Sequence, residues 1–136
     1  MDNNSSLRKV VAIPLVQVGG IRFGESRATV RKQFGEYREY RKSRFSKNTT
    51  DDFGFCHVYY DVNDHVEAFE IFRGTEVVVN GKVVFPGSIS AIEKETGEFQ
   101  KDDGGWINKR MSIGIYAPEN EMEGILFGRK GYYDQV

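Results

Sequence analysis

Residues 21–37 read IRFGESRATVRKQFGEY, and residues 83–99 read VVFPGSISAIEKETGEF. At a shift of 62 residues Phe23 falls on Phe85, Val30 on Ile92, Gly35 on Gly97, Glu36 on Glu98 and Tyr37 on Phe99. Internal repeats are sought first because a repeat fixes the whole architecture. Each stretch also carries the local signals of one short helix. Ser26 and Ser88 stand where a side-chain oxygen accepts from the free amides of a first helical turn. Gly35 and Gly97 stand where a residue of positive φ ends a helix. Val30 and Phe34, four apart, give the first helix an apolar face; the second has Ile89 and Ile92, with Thr96 in the place of Phe34.

Outward from each helix, the pattern predicts a hairpin. Residues 55–60 (FCHVYY) and 65–72 (HVEAFEIF) flank the turn 61–64 (DVND), whose Asp and Asn favour tight turns. Residues 111–116 (MSIGIY) and 122–127 (MEGILF) flank 117–120 (APEN) in the same way. Residues 57–73 and 113–129 align at a shift of 56, pairing Tyr60 with Tyr116, Val66 with Met122, Glu67 with Glu123 and Phe69 with Ile125. Side chains alternate faces along a strand. Phe69 and Ile71 match Ile125 and Phe127 and should face the helices; Ala68, Glu70, Gly124 and Leu126 then form the open sheet surface. A four-residue turn would set His57 opposite Ala68 and Tyr59 opposite Val66. Val10 to Val18 reads as a strand, and Asn80-Gly81 between two apolar runs signals a two-residue hairpin. The predicted fold class is α+β, a single domain over 1–136. It comprises two tandem similar helix-plus-antiparallel-hairpin units, about 15–74 and 75–133, forming one curved antiparallel sheet with short helices on one face.

Composition bounds the function. A chain of 136 residues that is 39% hydrophobic can build one core. A single Cys excludes an internal disulfide framework and a thiolate-rich zinc site. A net charge of -1 lacks the basic bias of chains that live on nucleic acid or anionic lipid. No apolar window approaches the ~20 residues of a membrane-spanning helix. Arg8-Lys9 before Val10 to Val16 has the outline of a secretory signal. The polar stretch Asp2 to Ser6, the break at Pro14 and the lack of a small-x-small site before Gly19-Gly20 argue against one. The expected location is the cytoplasm, with Cys56 a buried reduced thiol.

The run Gly24-Glu25-Ser26 through Val30 to Phe34-Gly35 resembles the helix start of proteins built like the beta-lactamase inhibitor protein, and of outer-membrane assembly lipoproteins sharing that small α+β unit. The tandem arrangement resembles the double-unit form, in which a continuous antiparallel sheet grips a partner protein with its concave face. The whole chain, with FSKNTTDDFGFCHVYYD at 45–61 and KGYYDQV at 130–136, is similar to small bacterial immunity proteins that neutralise a cognate toxin. It lacks the lipidated Cys of the lipoproteins and the paired cysteines of the secreted inhibitor. The resemblance therefore implies a cytoplasmic immunity protein, as found in toxin-antitoxin or contact-dependent growth inhibition systems.

Charge and aromatics point to candidate contacts. From Arg22 to Lys47 nine basic residues oppose three acidic ones, for +6; from Asp51 to Glu70 there are six acidic residues and no Lys or Arg, for -6. Such polarity steers a complementary partner, unless the two segments neutralise each other within the fold. Toxins that cut nucleic acid are generally basic, which favours the acidic segment and its aromatics as the contact region. The predicted partner-binding residues are Asp51, Asp52, Tyr59, Glu70, Asp102, Asp103 and Trp106, with Tyr132 and Tyr133 also among the aromatics suited to an interface. The expected partner is a protein toxin, with a nuclease among the candidates; neither a membrane nor nucleic acid is the expected partner. No catalytic, cofactor-binding or metal-binding residue is predicted. Cys56 and His57 are adjacent and point to opposite faces of a strand, so they form no nucleophile-base pair. The alternative is a nucleic-acid-associated module using the basic 22–47 segment, where Phe34, Tyr37, Tyr40 and Phe45 interleave the charges.

Overall fold

The computed structural model describes residues 7–134; the polar stretch Asp2 to Ser6 lies outside them. Helix α1 is Arg27–Phe34, and the Ser26 hydroxyl accepts from the Thr29 amide at 3.2 Å. Gly35, at φ 93°, closes it by donating its N–H to the Arg31 carbonyl. Helix α2 is Ile89–Thr96, with Ser88 accepting from the Ala91 amide at 3.1 Å and Gly97 closing on Glu93. Both helices begin and end at the residues the sequence signals.

Thirteen strands are β1 Arg8–Ile13, β2 Gln17–Val18, β3 Ile21–Arg22, β4 Arg38–Tyr40, β5 Thr50–Asp52, β6 Cys56–Tyr60, β7 Val66–Phe72, β8 Thr75–Val79, β9 Lys82–Phe85, β10 Gln100–Asp102, β11 Gly105–Asn108, β12 Ile113–Tyr116 and β13 Gly124–Gly128. Eight of them form an antiparallel sheet in the order β10-β11-β12-β13-β7-β6-β5-β4. Both predicted hairpins, β6-β7 and β12-β13, sit at its centre. The other five form a second sheet, β3-β2-β1-β8-β9. The α+β class holds, but the single antiparallel sheet expected from the sequence is corrected to two sheets, and β1 runs parallel to β8. The physical reason is burial. Val10, Ala12, Val77 and Val79 alternate with exposed or half-exposed neighbours, so β1 and β8 each bury one face and close the core as a second layer.

Two local expectations are also corrected. The strand expected over Val10 to Val18 breaks after Ile13 at Pro14, and Leu15, at φ 69°, turns the chain back into β2. In the first hairpin Tyr59 pairs with Ala68 and His57 with Glu70, two residues from the expected register: Tyr60 pairs with Val66 rather than His65 at the turn, and a bulge between Tyr59 and Tyr60 adds the second residue. A slip of two preserves side-chain direction, so the face assignment survives it.

One core joins both sheets and both helices. Phe69, Ile71, Ile125 and Phe127 are fully buried, with Val30 of α1, Ile92 of α2 and Phe85 of β9 in the same cluster. Phe34 stacks its edge against Phe53 and Phe55 at ring separations of 5.4 and 5.1 Å and approaches Phe69 at 6.5 Å. Each such pair adds about 0.5–1.5 kcal/mol beyond area burial. The eight-stranded sheet thus has an inner face on the core and an outer face away from it.

Candidate functional site

Cross-strand pairing decides which side chains share the outer face. Arg38, Asp52, His57, Glu70, Leu126, Gly114, Ile107 and Gln100 are successive partners across all eight strands. Two residues along β7 in either direction lie further rows. One holds Tyr40, Thr50, Tyr59 and Ala68; the other holds Phe72, Gly124, Tyr116, Gly105 and Asp102.

The polar side chains of this face are linked. Arg38 Nη2 lies 3.4 Å from Asp52 Oδ2, His57 Nε2 lies 3.4 Å from Asp52 Oδ1, and the Tyr40 hydroxyl meets His57 Nδ1 at 2.9 Å. The His57 ring stands edge-on to Phe72, centroids 4.7 Å apart. Tyr59 donates its hydroxyl to Glu70 Oε1, and the Lys42 ammonium lies 4.7 Å from the centre of the Tyr59 ring. Burial, and then the Glu70 carboxylate, push the Tyr59 phenol well above its ordinary value; burial and then Asp52 raise that of Tyr40. Both phenols are therefore neutral at neutral pH, and Tyr59 is the donor to the Glu70 carboxylate.

The C-terminal turn Tyr132–Asp134 is laid on the same face. Gly128 and Gly114 make room for it. A Cβ at Gly114 would collide with the Tyr133 hydroxyl, and one at Gly128 with the base of the Tyr132 side chain. Burial pushes the Tyr132 phenol up to about 12 and that of Tyr133 higher still.

Of the predicted contact residues, Asp52, Tyr59, Glu70 and Asp102 lie on the outer face. Glu70, Asp102, Asp103 and Trp106 line one depression of about 150 Å³, with Tyr116, Leu126 and Tyr133. Trp106 nevertheless stands in the inward row with Ile115, Ile125 and Ile71, half-buried against the core, and Lys101 Nζ is 5.0 Å from its ring centre. A more capacious depression, about 540 Å³, lies at the β10-β11 edge. There Asn108 and Arg110 already donate to the Thr96 carbonyl at 3.1 and 3.2 Å, closing the end of α2.

Asp51 is placed differently. It is fully buried on the inner face, accepting from Arg27 at 3.2 Å, from Arg31 at 2.8 Å through both Nε and Nη2, and from the Tyr60 hydroxyl at 2.9 Å. The bonds it donates to Asp51 hold the Arg31 guanidinium well above its ordinary pKa. Arg27 reaches on to Asp64 Oδ1 at 3.1 Å and to Asn48 at 2.9 Å. The basic and acidic segments of the sequence therefore neutralise each other here, and Asp51 offers no surface to a partner. Sequence reasoning allowed for that neutralisation but did not name the residues that make it, although a signal existed. Arg27 and Arg31 share helical spacing with Val30 and Phe34, the pattern of a buried face.

No protein-family model, curated protein or solved structure matches the chain. Among the described residues no three His, Cys, Asp or Glu side chains come together in a group able to hold a metal ion, and no helix is long and apolar enough to cross a membrane. Cys56 is fully buried on the inner face, where desolvation raises its thiol far above the ordinary value, while His57 stands on the outer face. The five-stranded sheet has an outward face of its own, where Val11 is 56% and Val83 45% exposed. None of the predicted contact residues lies on it.

Proposed function

We propose that the chain is an immunity protein, a cytoplasmic inhibitor that binds a protein toxin through the outer face of its eight-stranded sheet. One observation carries this reading: the outer face, turned away from the core that holds α1 and α2, gathers Tyr40, His57, Tyr59, Phe72, Tyr116, Tyr132 and Tyr133 with Arg38, Asp52, Glu70 and Asp102. Tyr, Phe and Arg are enriched in protein interfaces, and complementary charges among them steer and select the partner. The double-unit architecture belongs to the same reading. Strands β4 to β7 and β10 to β13 form two up-and-down quartets that meet at β7 and β13, each quartet following a serine-capped helix. Glu70 pairs directly with Leu126 at that join, and the two residues are related by the shift of 56 that aligns the two hairpins. The sheet would curve around its partner as in the double-unit inhibitors the sequence resembles.

The test is capture of partners by tagged protein from the source cells, repeated after nuclease treatment and at raised salt, then reconstitution with the purified partner. The proposal expects a stoichiometric protein that survives both treatments, is toxic when expressed alone and is neutralised by this chain. A second reading rests on the 41–47 loop, where Arg44 lies 4.8 Å from the centre of a Phe45 ring that is 79% exposed. A nucleic-acid module would instead recover nucleic acid alone and lose it steeply with salt.

A further inference from the structure

The C-terminal tyrosines divide the outer face into two depressions of opposite charge. Their rings meet edge to face at 90°, centroids 5.2 Å apart. Tyr133 walls the depression of about 150 Å³ that also holds Glu70, Asp102, Asp103 and Tyr116, and no Lys or Arg among the described residues lines it. Tyr132 walls a second depression of about 210 Å³ that holds Lys42, Lys47 and Tyr59. Its one carboxylate, Glu67, lies 3.8 Å from Arg129. A cavity of roughly 150 Å³ holds a benzene-sized group, so a planar guanidinium fits the first.

We infer that the outer face is a two-sided docking surface for a protein that straddles the Tyr132–Tyr133 ridge. Its partner sets an arginine side chain between Tyr116, Tyr133 and the carboxylates on one side, and a carboxylate against Lys42 and Lys47 on the other. This deepens the inhibitor reading and rests on it. Arginine suits the first depression because its flat cation stacks on aromatic rings while its fork of N–H donors meets carboxylates. The opposed signs also fix the partner's orientation, since a reversed approach sets like charges together.

The test needs no partner. The 15N-labelled protein is titrated with N-acetyl-arginine methylamide to about 100 mM, and with the neutral citrulline analogue as control; the anionic N-acetyl-glutamate methylamide and its glutamine analogue probe the other side. The arginine probe should move the amides of Gly104, Gly105 and Leu126, citrulline should not, and Asp102→Asn with Asp103→Asn should abolish the response. The glutamate probe should move Thr49 and Thr50, and Lys42→Gln with Lys47→Gln should abolish that. Equal responses to charged and neutral probes, no response, or responses unchanged in the variants would overturn the inference. Unshifted resonances elsewhere show that each variant is folded. Toxin capture without probe binding would leave the inhibitor reading standing; probe binding without any toxin would leave only the surface.

Discussion

Asp51 shows what a single residue decides in this fold. Two guanidiniums and a phenol converge on a carboxylate with no exposed surface. Removing one partner of a buried ionic group leaves the others uncompensated, so Asp51→Ala should lower stability by about 3–5 kcal/mol, read as a fall in the urea midpoint at unchanged slope. The pH dependence has a determinable sign. Bonds from Thr49 and then Arg31 hold Glu39 below its ordinary 4.5, and Asn48 and then the charge of Arg27 hold Asp64 below 3.8. A carboxyl depressed by folding stabilises fully above its unfolded value, and that contribution is lost as pH falls through the folded one. Glu67, raised by burial, acts in the opposite sense, so its protonation offsets part of the loss. We expect the stability profile to fall below about pH 4, and to fall less steeply in Glu39→Gln, as measured by urea unfolding at stepped pH. At this scale the sequence reading chose Asp52, Tyr59, Glu70 and Asp102 by charge and aromatic character; the cross-strand rows put these four on one face and bury Asp51, chosen on the same grounds, on the other. Charge was summed along the chain, whereas helical spacing had already set Arg27 and Arg31 against the interior.

Helices and central hairpins were legible because their signals are local. Ser26, Gly35, Ser88 and Gly97 bound the helices they predict. Ser26→Ala and Ser88→Ala should each cost about 1 kcal/mol, additive in the double variant because the two caps share no partner. Asn80 and Gly81, at φ 53° and 77°, form the predicted tight turn between β8 and β9. Strands β3, β4, β5, β10 and β11, and the parallel pairing of β1 with β8, were not legible. A pairing between distant stretches leaves no periodicity in either partner. The bulge after Tyr59 moved a register for a related reason, because nothing in HVYYD marks the extra residue. The outer face offers a direct test at this scale. Gly114→Ala puts a methyl where the Tyr133 hydroxyl lies. It should cost about 1–3 kcal/mol and release the C-terminal turn, seen as faster hydrogen exchange at residues 132–134 with the central hairpins unchanged.

At the scale of the molecule, two layers close one core and leave two outward sheet faces of different character. One carries a strip of valines; the other carries linked tyrosines, histidine and charges. The inhibitor reading assigns the partner to the second. The sequence resemblance suggested an uncovered sheet surface, and the cross-strand rows supply the residues that occupy it. The second layer, which no local pattern announced, hides the other side of that sheet. The most direct test of the central claim is hydroxyl-radical footprinting of the chain alone and in complex with the captured toxin. The account predicts protection of Tyr40, Tyr116, Tyr132 and Tyr133, with Val11, Ile13 and Val83 oxidised as in the free chain. Protection of those aliphatic residues, with the tyrosines as reactive as before, would contradict it.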